Sequence, residues 1–458
     1  MRLRTFSGGA HPPTRKASTR HLEITEAALP ERAVVPLGQS LGAPAEPCVR
    51  IGDAVLVGQR IGDASGFVSV PVHAPISGKV AAVGRFPHPL GSERPAIVIE
   101  GDGADRRHES VRPPGDPDSL SPEDIRRAVR DAGVVGLGGA AFPTHVKLSP
   151  PESKPIDLAV LNGAECEPWL TADHRLMLER PAEIVKGLLL IMRALGCRKG
   201  IVGIEANKMD AVQAMRGAAP AGADIEVVPL EVKYPQGAEK QLIDALTGRR
   251  VPSGGLPMDV GVVVQNVGTA FAVYEACHLG MPLVRRVVTV AGTPLARPAN
   301  YLARIGTLVS SLVEQSGGAT GEVAKVISGG PMMGVAQATL DVPVVKGMSG
   351  VLLLAPDEID WRAPDPCLRC GNCVETCPMK LVPTLLEKLV AAGKTDDAVA
   401  AGLQDCMECG SCGFVCPSRR PLVHSFKLGK YLSAERRKAA ARAAERTAAA
   451  AAERGGRA

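Results

Sequence analysis

The apolar positions of residues 33–112 come in short stretches interrupted by Gly-Asp and Pro turns. This pattern predicts strands at Cys48–Ile51, Ala54–Val57, Phe67–Val70 and Lys79–Val83, and hence a small all-β unit. A Pro/Asp-rich stretch, residues 112–122, then leads into Ser121-Pro122-Glu123-Asp124. That segment has the cap, first-turn proline and acidic first turn of a helix start, so a domain boundary falls there. From Ile125 the pattern alternates between strands and helices. Strands are expected at Leu158–Leu161, Gly200–Ile204 and Ile225–Pro229, and helices at Pro181–Leu195, Met209–Gly217 and from Asn266 through Ala276. Such alternation predicts an α/β domain with a mainly parallel sheet. Val287–Val290, a Gly-Thr-Pro turn, Tyr301 and a helix at Leu308–Gln315 suggest a small β-grasp-like module. After Tyr431 the chain is rich in Ala, Arg and Glu, which favours a solvated helix with no chemical role of its own.

A length of 458 residues with 45% hydrophobic positions gives room for three or four domains with sizeable cores. Aromatics make up only 3% of the chain, against 50 Gly and 38 Pro, so the cores must be built from Val, Leu, Ala and Ile between tight turns. The net charge of +5 sits at the ends, with five Arg/Lys and no acid in residues 1–20 and seven Arg/Lys against three Glu in residues 431–458. The interior is slightly acidic, and no basic, aromatic-interleaved face for nucleic acid is visible. No apolar run approaches the roughly 18 to 20 residues of a membrane span. The basic start is followed by Gly8-Gly9 and Pro12-Pro13 rather than by an apolar signal region. A reducing compartment is therefore expected, where cysteines bind metal more readily than they pair.

The strongest chemical signal is a repeated one. Cys367-x2-Cys370-x2-Cys373-x3-Cys377-Pro378 recurs as Cys406-x2-Cys409-x2-Cys412-x3-Cys416-Pro417. Two-residue gaps let one loop present three thiolates to three irons of a cubane, while the fourth cysteine points to the other cluster. Two [4Fe–4S] clusters are expected, one on Cys367, Cys370, Cys373 and Cys416, the other on Cys406, Cys409, Cys412 and Cys377. Gly371 and Gly410-Ser411 permit the tight loops, and the 28 residues from Pro378 to Asp405 read as two helices. A pair of zinc sites is the other reading, but zinc closes with four ligands and does not call for this repeated third cysteine. Cubanes pass single electrons and accept no hydride, so another centre must exchange electron pairs.

That centre is expected in the α/β domain. Its glycine-rich loop contains Gly133, Gly136, Gly138, Gly139, Ala140, Ala141, Phe142, Pro143 and Thr144, with Lys147 just beyond. Exposed backbone amides and a lysine suit a phosphate, although glycines in such folds also serve simply as turns. Asn162, Glu165, Cys166, Glu167 and Pro168 follow directly after an apolar strand, at the carboxyl edge where open sheets bind ligands. These are candidates for bonding ribityl hydroxyls or flavin nitrogens, or else solvated loop acids. The remaining cysteines, Cys48, Cys166, Cys197 and Cys277, share no spacing and read as core residues, with Cys166 set apart by its place between two candidate site acids.

Four ordered motifs carry a resemblance. Gly138-Gly139-Ala140-x-Phe142-Pro143-Thr144-x-x-Lys147, Asn162-x-x-Glu165-x-Glu167-Pro168, Tyr234-x-x-Gly237-x-Glu239 and Gln265-Asn266-x-x-Thr269 are similar to those of the NADH- and FMN-binding flavoprotein subunit of respiratory complex I. With the opening Phe6-Ser-Gly8-Gly9-x-His11-Pro12-Pro13, the β unit and the cysteine repeats, residues 1–430 resemble the RnfC subunit family of the Rnf electron transport complex. The resemblance implies a multidomain α/β and β protein. Its parts are an N-terminal segment 1–32, a barrel-sandwich hybrid 33–115, a Rossmann-like FMN/NAD-binding domain 118–285, a β-grasp (SLBB-like) domain 286–355, a helical two-cluster ferredoxin-type domain 360–430 and a tail 431–458. It implies that FMN is held by the loop at Gly136, Gly138, Gly139 and Ala140 and by Lys147, Asn162, Glu165, Tyr234, Gly237, Gln265, Asn266 and Thr269. NAD(H) is expected near Phe142, Glu167 and Glu239. The β unit is similar to biotinyl and lipoyl carriers, His73-Ala-Pro75-x-x-Gly78-Lys79-Val80 included, but has no Met-Lys hairpin tip, so no swinging arm is implied.

Departures from the complex I pattern are Ala141 for a usual glycine, Ala164 and Ala238 for acids, and the loss of all but Phe142 from the aromatic cluster that stacks on adenine there. The implied activity is ion-translocating ferredoxin:NAD+ oxidoreduction by a peripheral subunit on the cytoplasmic face of a bacterial inner membrane. It would dock on integral membrane subunits and an iron–sulfur subunit of the same complex, with ferredoxin an indirect partner. Two other readings remain at this point: a non-catalytic electron relay or scaffold, and a relative of the cobalamin reductase of diol-utilising microcompartments.

Overall fold

The computed structural model describes residues 3–455, in two compact units. One comprises His11–Asp360 with the chain start through Phe6, and the other comprises the chain from Trp361 onward with Ser7–Ala10.

In the larger unit the β domain is two small sheets. Arg32–Pro36, Arg94–Gly101, Gly78–Phe86 and Ala54–Val55 form one in that order, and Glu46–Pro47, Arg60–Asp63 and Val72–His73 the other. The alternation of the long strands sends Ala33, Val35, Ile97, Ile99 and Val80 inward to meet Ile61 and Val72 in one core. A Cβ on Gly78 would lie 1.9 Å from the Glu100 carbonyl oxygen, so only glycine lets this strand pair there. Cys48–Ile51 and Phe67–Val70 are not strands. Pairing reaches only Glu46–Pro47 before the chain turns, and Phe67 lies in a bend ahead of the strand Val72–His73. Cys48 is exposed rather than a core residue, whereas Cys197 and Cys277 are buried.

The α/β domain has a four-stranded, wholly parallel sheet in the order Ile225–Leu230, Lys199–Glu205, Leu158–Gly163, Val262–Asn266. Both faces are covered, so the strands read as continuous apolar runs. Leu158, Val160, Ile201 and Val264 enter one core, and Ala159, Leu161, Val202 and Ile204 the other. The expected helix start is present: Ser121 Oγ accepts from the Asp124 amide at 3.1 Å, and Asp124 accepts from the Ser121 amide at 3.3 Å, opening the helix Pro122–Asp131. The helices Pro181–Leu195 and Val267–Tyr274 cross at Gly187, where a Cβ would lie 1.9 Å from the Ala270 carbonyl oxygen. Gly187→Ala would therefore push them apart.

The β-grasp domain is a six-stranded sheet ordered Ile24–Glu26, Ala299–Arg304, Arg285–Gly292, Gly350–Leu354, Lys325–Ser328, Val335–Gln337. Its helix Val309–Gln315 buries Val309, Leu312 and Val313 against Val288, Val290 and Val351. Residues 1–32 are not a separate segment, because Ile24–Glu26 pairs parallel with Ala299–Arg304 as the edge strand of this sheet.

The smaller unit is helical: Asn372–Thr376, Pro383–Ala391, Thr395–Ala400, Ser411–Phe414 and the long Leu422–Gly455. Leu386, Val390, Ala398, Leu403, Leu422 and Phe426 form its core with Cys373 and Cys412. The tail is continuous with this domain, since the helix that carries it starts at Leu422 with Leu422 and Phe426 buried. Residues 456–458 lie outside the described residues. Among the described residues no helix is long and apolar enough to cross a membrane.

Candidate cofactor sites

The chain order of the parallel sheet creates a switch point. From the central strand Leu158–Gly163 the chain steps outward twice on one side, then returns to place Val262–Asn266 on the other side. The crevice at the carboxyl ends of those two strands is where such sheets bind ligands. Asn162 and Asn266 end the two strands in register with one another. The Gly136–Phe142 loop lies over this crevice, where a Cβ on Gly138 would be 3.5 Å from Asn266 Cβ.

Bonds at either end shape this loop. The Gly136 amide donates to Phe142 O at 2.8 Å, the Leu137 amide to Thr269 Oγ1 at 2.9 Å and the Ala141 amide to Gly136 O at 3.2 Å. Among the described residues the amides of Gly138, Gly139 and Ala140 have no protein acceptor. Gly139 has φ +104°, with open space where a Cβ would stand. Three consecutive N–H groups without a protein acceptor can serve as a cradle for an anion. Asn266 is fixed beneath it: its Oδ1 accepts from the Gly268 amide at 2.8 Å and its Nδ2 donates to Asp173 at 2.6 Å. Burial pushes the Asp173 carboxyl up to about 7, with the nearby Glu165 charge adding to the effect.

Around the cradle, Lys147 Nζ donates to Glu239 Oε1 at 2.6 Å and to Val264 O at 3.1 Å. Asn162 Nδ2 donates to Gly237 O at 2.7 Å, and the Gly237 amide donates to Cys166 Sγ at 3.4 Å. Burial pushes the Cys166 thiol up to about 12, so it is a neutral packing group at neutral pH. Tyr234 is buried. Gln265 is also buried, and among the described residues its Nε2 has no partner, a donor left over for a bound acceptor.

The two acids of the 162–168 segment have protein partners. Glu165 accepts from the Asp173 amide at 2.7 Å and the His174 amide at 3.2 Å, satisfying the first turn of the helix Ala172–Glu179. Glu167 accepts from the Met332 amide at 3.0 Å and the Met333 amide at 2.9 Å, and burial lifts its carboxyl to about 7. Sequence reasoning missed Lys16, whose buried ammonium donates to the carbonyls of Glu165 and Glu167, both at 2.9 Å, and to that of Leu170. It also missed Asp173 and the Met332-Met333 turn. Lysine near a chain start has no local pattern that reveals such burial.

In the smaller unit the two cysteine loops repeat in backbone conformation as well as in sequence. Arg369 and Glu408 have φ +56° and +60°, Gly371 and Gly410 +85° and +84°, Lys380 and Arg419 +57° and +52°. Each pair is offset identically from the first cysteine of its loop. Burial raises the thiols of Cys373 and Cys409, and pushes Cys406 up to about 11 and Cys412 up to about 12. The thiols that act on Cys373 are Cys416 and Cys367, whereas those acting on Cys412 are Cys409, Cys406 and Cys377. Cys377, Cys406, Cys409 and Cys412 line one pocket together with Leu386 and Phe426. Among the described residues no three His, Cys, Asp or Glu side chains converge on a single metal ion. A cubane, which takes one thiolate per iron, makes no such demand, and four thiols around an apolar cavity suit it.

Four family models match in order: an RnfC barrel sandwich hybrid domain at residues 4–104, a Nuo51 FMN-binding domain at 129–275, an SLBB domain at 287–336 and a 4Fe-4S dicluster domain at 359–438. Over 95% of its length the chain is 47% identical to a subunit of the Na(+)-translocating ferredoxin:NAD(+) oxidoreductase complex of Acetobacterium woodii, and covers 98% of that protein. The chain belongs to the RnfC family. The proton-translocating counterpart from Clostridium ljungdahlii is also 47% identical, over 84% of each chain. The equivalent subunit of the ion-translocating oxidoreductase complex of Rhodobacter capsulatus is 44% identical, over 95% of this chain and 84% of its own. RnfC architecture thus accounts for each fold expected here: the barrel-sandwich hybrid, the flavoprotein-type α/β domain, the β-grasp and the dicluster domain. The FMN-binding match spans the glycine loop, the 162–168 segment and Thr269, and the dicluster match spans all eight repeat cysteines.

Proposed function

We propose that this chain is the peripheral electron-transfer subunit of RnfC type in a ferredoxin:NAD+ oxidoreductase, passing electrons between NADH and iron–sulfur centres by way of FMN. The observation that carries this reading is the set of three free amides at Gly138, Gly139 and Ala140 at the sheet's switch point, with Lys147 bonded to Val264 O in the strand that ends at Asn266. In this reading Gly136 shapes the loop and the three amides hold the FMN phosphate. Lys147 neutralises charge there, and Asn162, Tyr234, Gly237, Gln265, Asn266 and Thr269 line the flavin. Glu165 acts through the loop it holds against the helix Ala172–Glu179. Phe142, Glu167 and Glu239 border the dinucleotide. When bound, FMN supplies the exchange between hydride, a two-electron donor, and clusters that take electrons singly. The crevice residues orient its ring and keep bulk water away from it.

In this reading Cys367, Cys370, Cys373 and Cys416 hold one [4Fe–4S] cluster and Cys406, Cys409, Cys412 and Cys377 the other. The chain docks through integral subunits and an iron–sulfur subunit of the same complex, on the cytoplasmic face. Relatives named for sodium and for protons match at the same 47% identity, which is consistent with ion choice residing in the integral subunits.

Anaerobically purified protein is expected to hold FMN, with about eight irons and about eight sulfides per chain, the content of two cubanes. NADH should bleach the flavin absorbance. Bleaching by dithionite but not by NADH would leave an electron relay in place of a dehydrogenase, and zinc in place of iron would end the electron-transfer reading altogether.

A further inference from the structure

The chain holds only 7 Phe, 2 Trp and 4 Tyr, and among the described residues of the larger unit one aromatic, Phe67, is strongly exposed, at 65%. It contributes nothing to a core, yet it is held in place. Its carbonyl accepts from His145 Nε2 at 3.0 Å, and the two rings meet edge to face with centroids 5.9 Å apart. His145 lies three residues beyond Phe142 and two before Lys147 in the short helix Thr144–Lys147. On the other side the Leu41 amide donates to Ala141 O at 3.1 Å, and the Ala43 amide to Val68 O at 3.1 Å. Leu41 is 56% exposed and Val68 36%. The Leu41–Ala141 backbone bond and the His145–Phe67 bond therefore hold two turns of the β domain against the segment that closes the glycine loop, Ala141 to His145, where Leu41, Phe67 and Val68 stand exposed as an apolar shelf.

We propose that this shelf is the stacking platform for the adenine ring of the dinucleotide, supplied by the barrel-sandwich domain. The proposal rests on the NADH reading of the site. With the three free amides taken by the FMN phosphate, an apolar, ring-bearing surface beside the segment that carries Phe142 suits the planar base of a second nucleotide. FMN brings one aromatic ring, which the crevice at Asn162 and Gln265 accommodates. A second ring, attached through phosphate, is the adenosine half of the dinucleotide.

The test compares NADH with reduced nicotinamide mononucleotide, which has the same hydride donor and no adenosine, using the full FMN-loaded chain. Wild type is expected to favour NADH in kcat/KM by about tenfold, the scale of one base–aromatic stack. Phe67→Ala should raise KM for NADH by about tenfold with kcat and FMN content unchanged and the mononucleotide unaffected, and Phe67→Trp should restore wild-type behaviour. As a binding readout, Trp fluorescence of the Phe67→Trp variant should be quenched saturably by ADP-ribose, and wild-type emission should not. Equal use of the two donors by wild type, equal loss of both in Phe67→Ala, or absence of quenching would overturn the platform. If Phe67→Ala loses FMN, the wild-type donor ratio and the quenching decide. Bleaching by neither donor, with dithionite still effective, would overturn the NADH reading and the platform with it.

Discussion

The two candidate centres of this chain are built on opposite plans. The cysteine sets lie within residues 367–416, use one residue type and depend on side chains. The nucleotide cradle draws on residues 136–269 and is mostly main chain: three free amides, two strand ends and a few bonds that fix them. The first plan is local and soft-ligand specific, so removing one side chain removes a metal bond. The second is topological, and most single side-chain changes leave its amides where they are. Substitution should therefore act sharply on the smaller unit and by degrees on the larger.

Cys377 offers the strongest test of the first plan, because sequence proximity and structure assign it differently. It stands in the first repeat, yet it lines the cavity of Cys406, Cys409 and Cys412. Cys377→Ser is expected to cost about four of about eight irons, one cubane. Adding Cys409→Ser should cost no more, and adding Cys370→Ser should remove the rest. Iron and sulfide analysis with electron paramagnetic resonance reads the outcome. Complete iron loss in the Cys377/Cys409 double variant would refute the exchange of fourth ligands.

The larger unit fastens its loops with buried cations, and there a graded effect is expected. Lys346 is fully buried, and its Nζ donates to Gly133 O at 2.7 Å and Pro71 O at 3.2 Å, tying the glycine-loop segment to the β domain. Burial lowers its pKa from 10.5 to about 7. Below about 7 the lysine is charged in both folded and unfolded states, and the penalty for burying the charge is full. As pH rises above 7 the folded form releases its proton while the unfolded chain keeps one, so stability rises. Between pH 7 and 8.5 the gain from this group is about 1–2 kcal/mol. Urea unfolding of wild type against Lys346→Met across that range isolates it. The variant should lose the slope and be destabilised by about 1–3 kcal/mol through two carbonyls left unpaired. Parallel pH curves for the two proteins would show that Lys346 titrates normally.

The same contrast explains what could be read from the sequence. The paired C-x2-C-x2-C-x3-C-P runs marked out the dicluster domain, and the alternation around Leu158, Gly200 and Ile225 the parallel sheet. Pro181–Leu195 was legible to the residue, because its proline start, apolar face and closing Gly196 agree. Non-local pairing was not legible. Nothing near Ile24 indicates that three residues will join a sheet at Ala299–Arg304, and the apolar look of Phe67–Val70 came in part from exposed residues at a bend rather than from a strand. The acids of the 162–168 segment were found by their position after a strand. Their partners were not, because the Asp173 and His174 amides and the Met332-Met333 turn reach Glu165 and Glu167 only through tertiary packing.

The smallest expected effect concerns Ala141, which stands where glycine is usual in the complex I loop. Its φ of +50° is in the left-handed region, and it is held there by its amide on Gly136 O and by Leu41 on its own carbonyl. An L-residue in that conformation costs about 1 kcal/mol, while glycine offsets part of any gain through the freedom of the unfolded chain. Ala141→Gly should therefore stabilise the larger unit by about 0.5 kcal/mol, seen as a small rise in Tm, with FMN affinity unchanged because the free amides at Gly138, Gly139 and Ala140 do not move. The cysteine loops make the opposite choice at Gly371 and Gly410, whose φ values near +85° leave no comparable strain to relieve. A fall in FMN affinity in the Ala141→Gly variant would mean that the alanine methyl holds the cradle's shape, and that the larger site depends on side chains more than its amide plan implies.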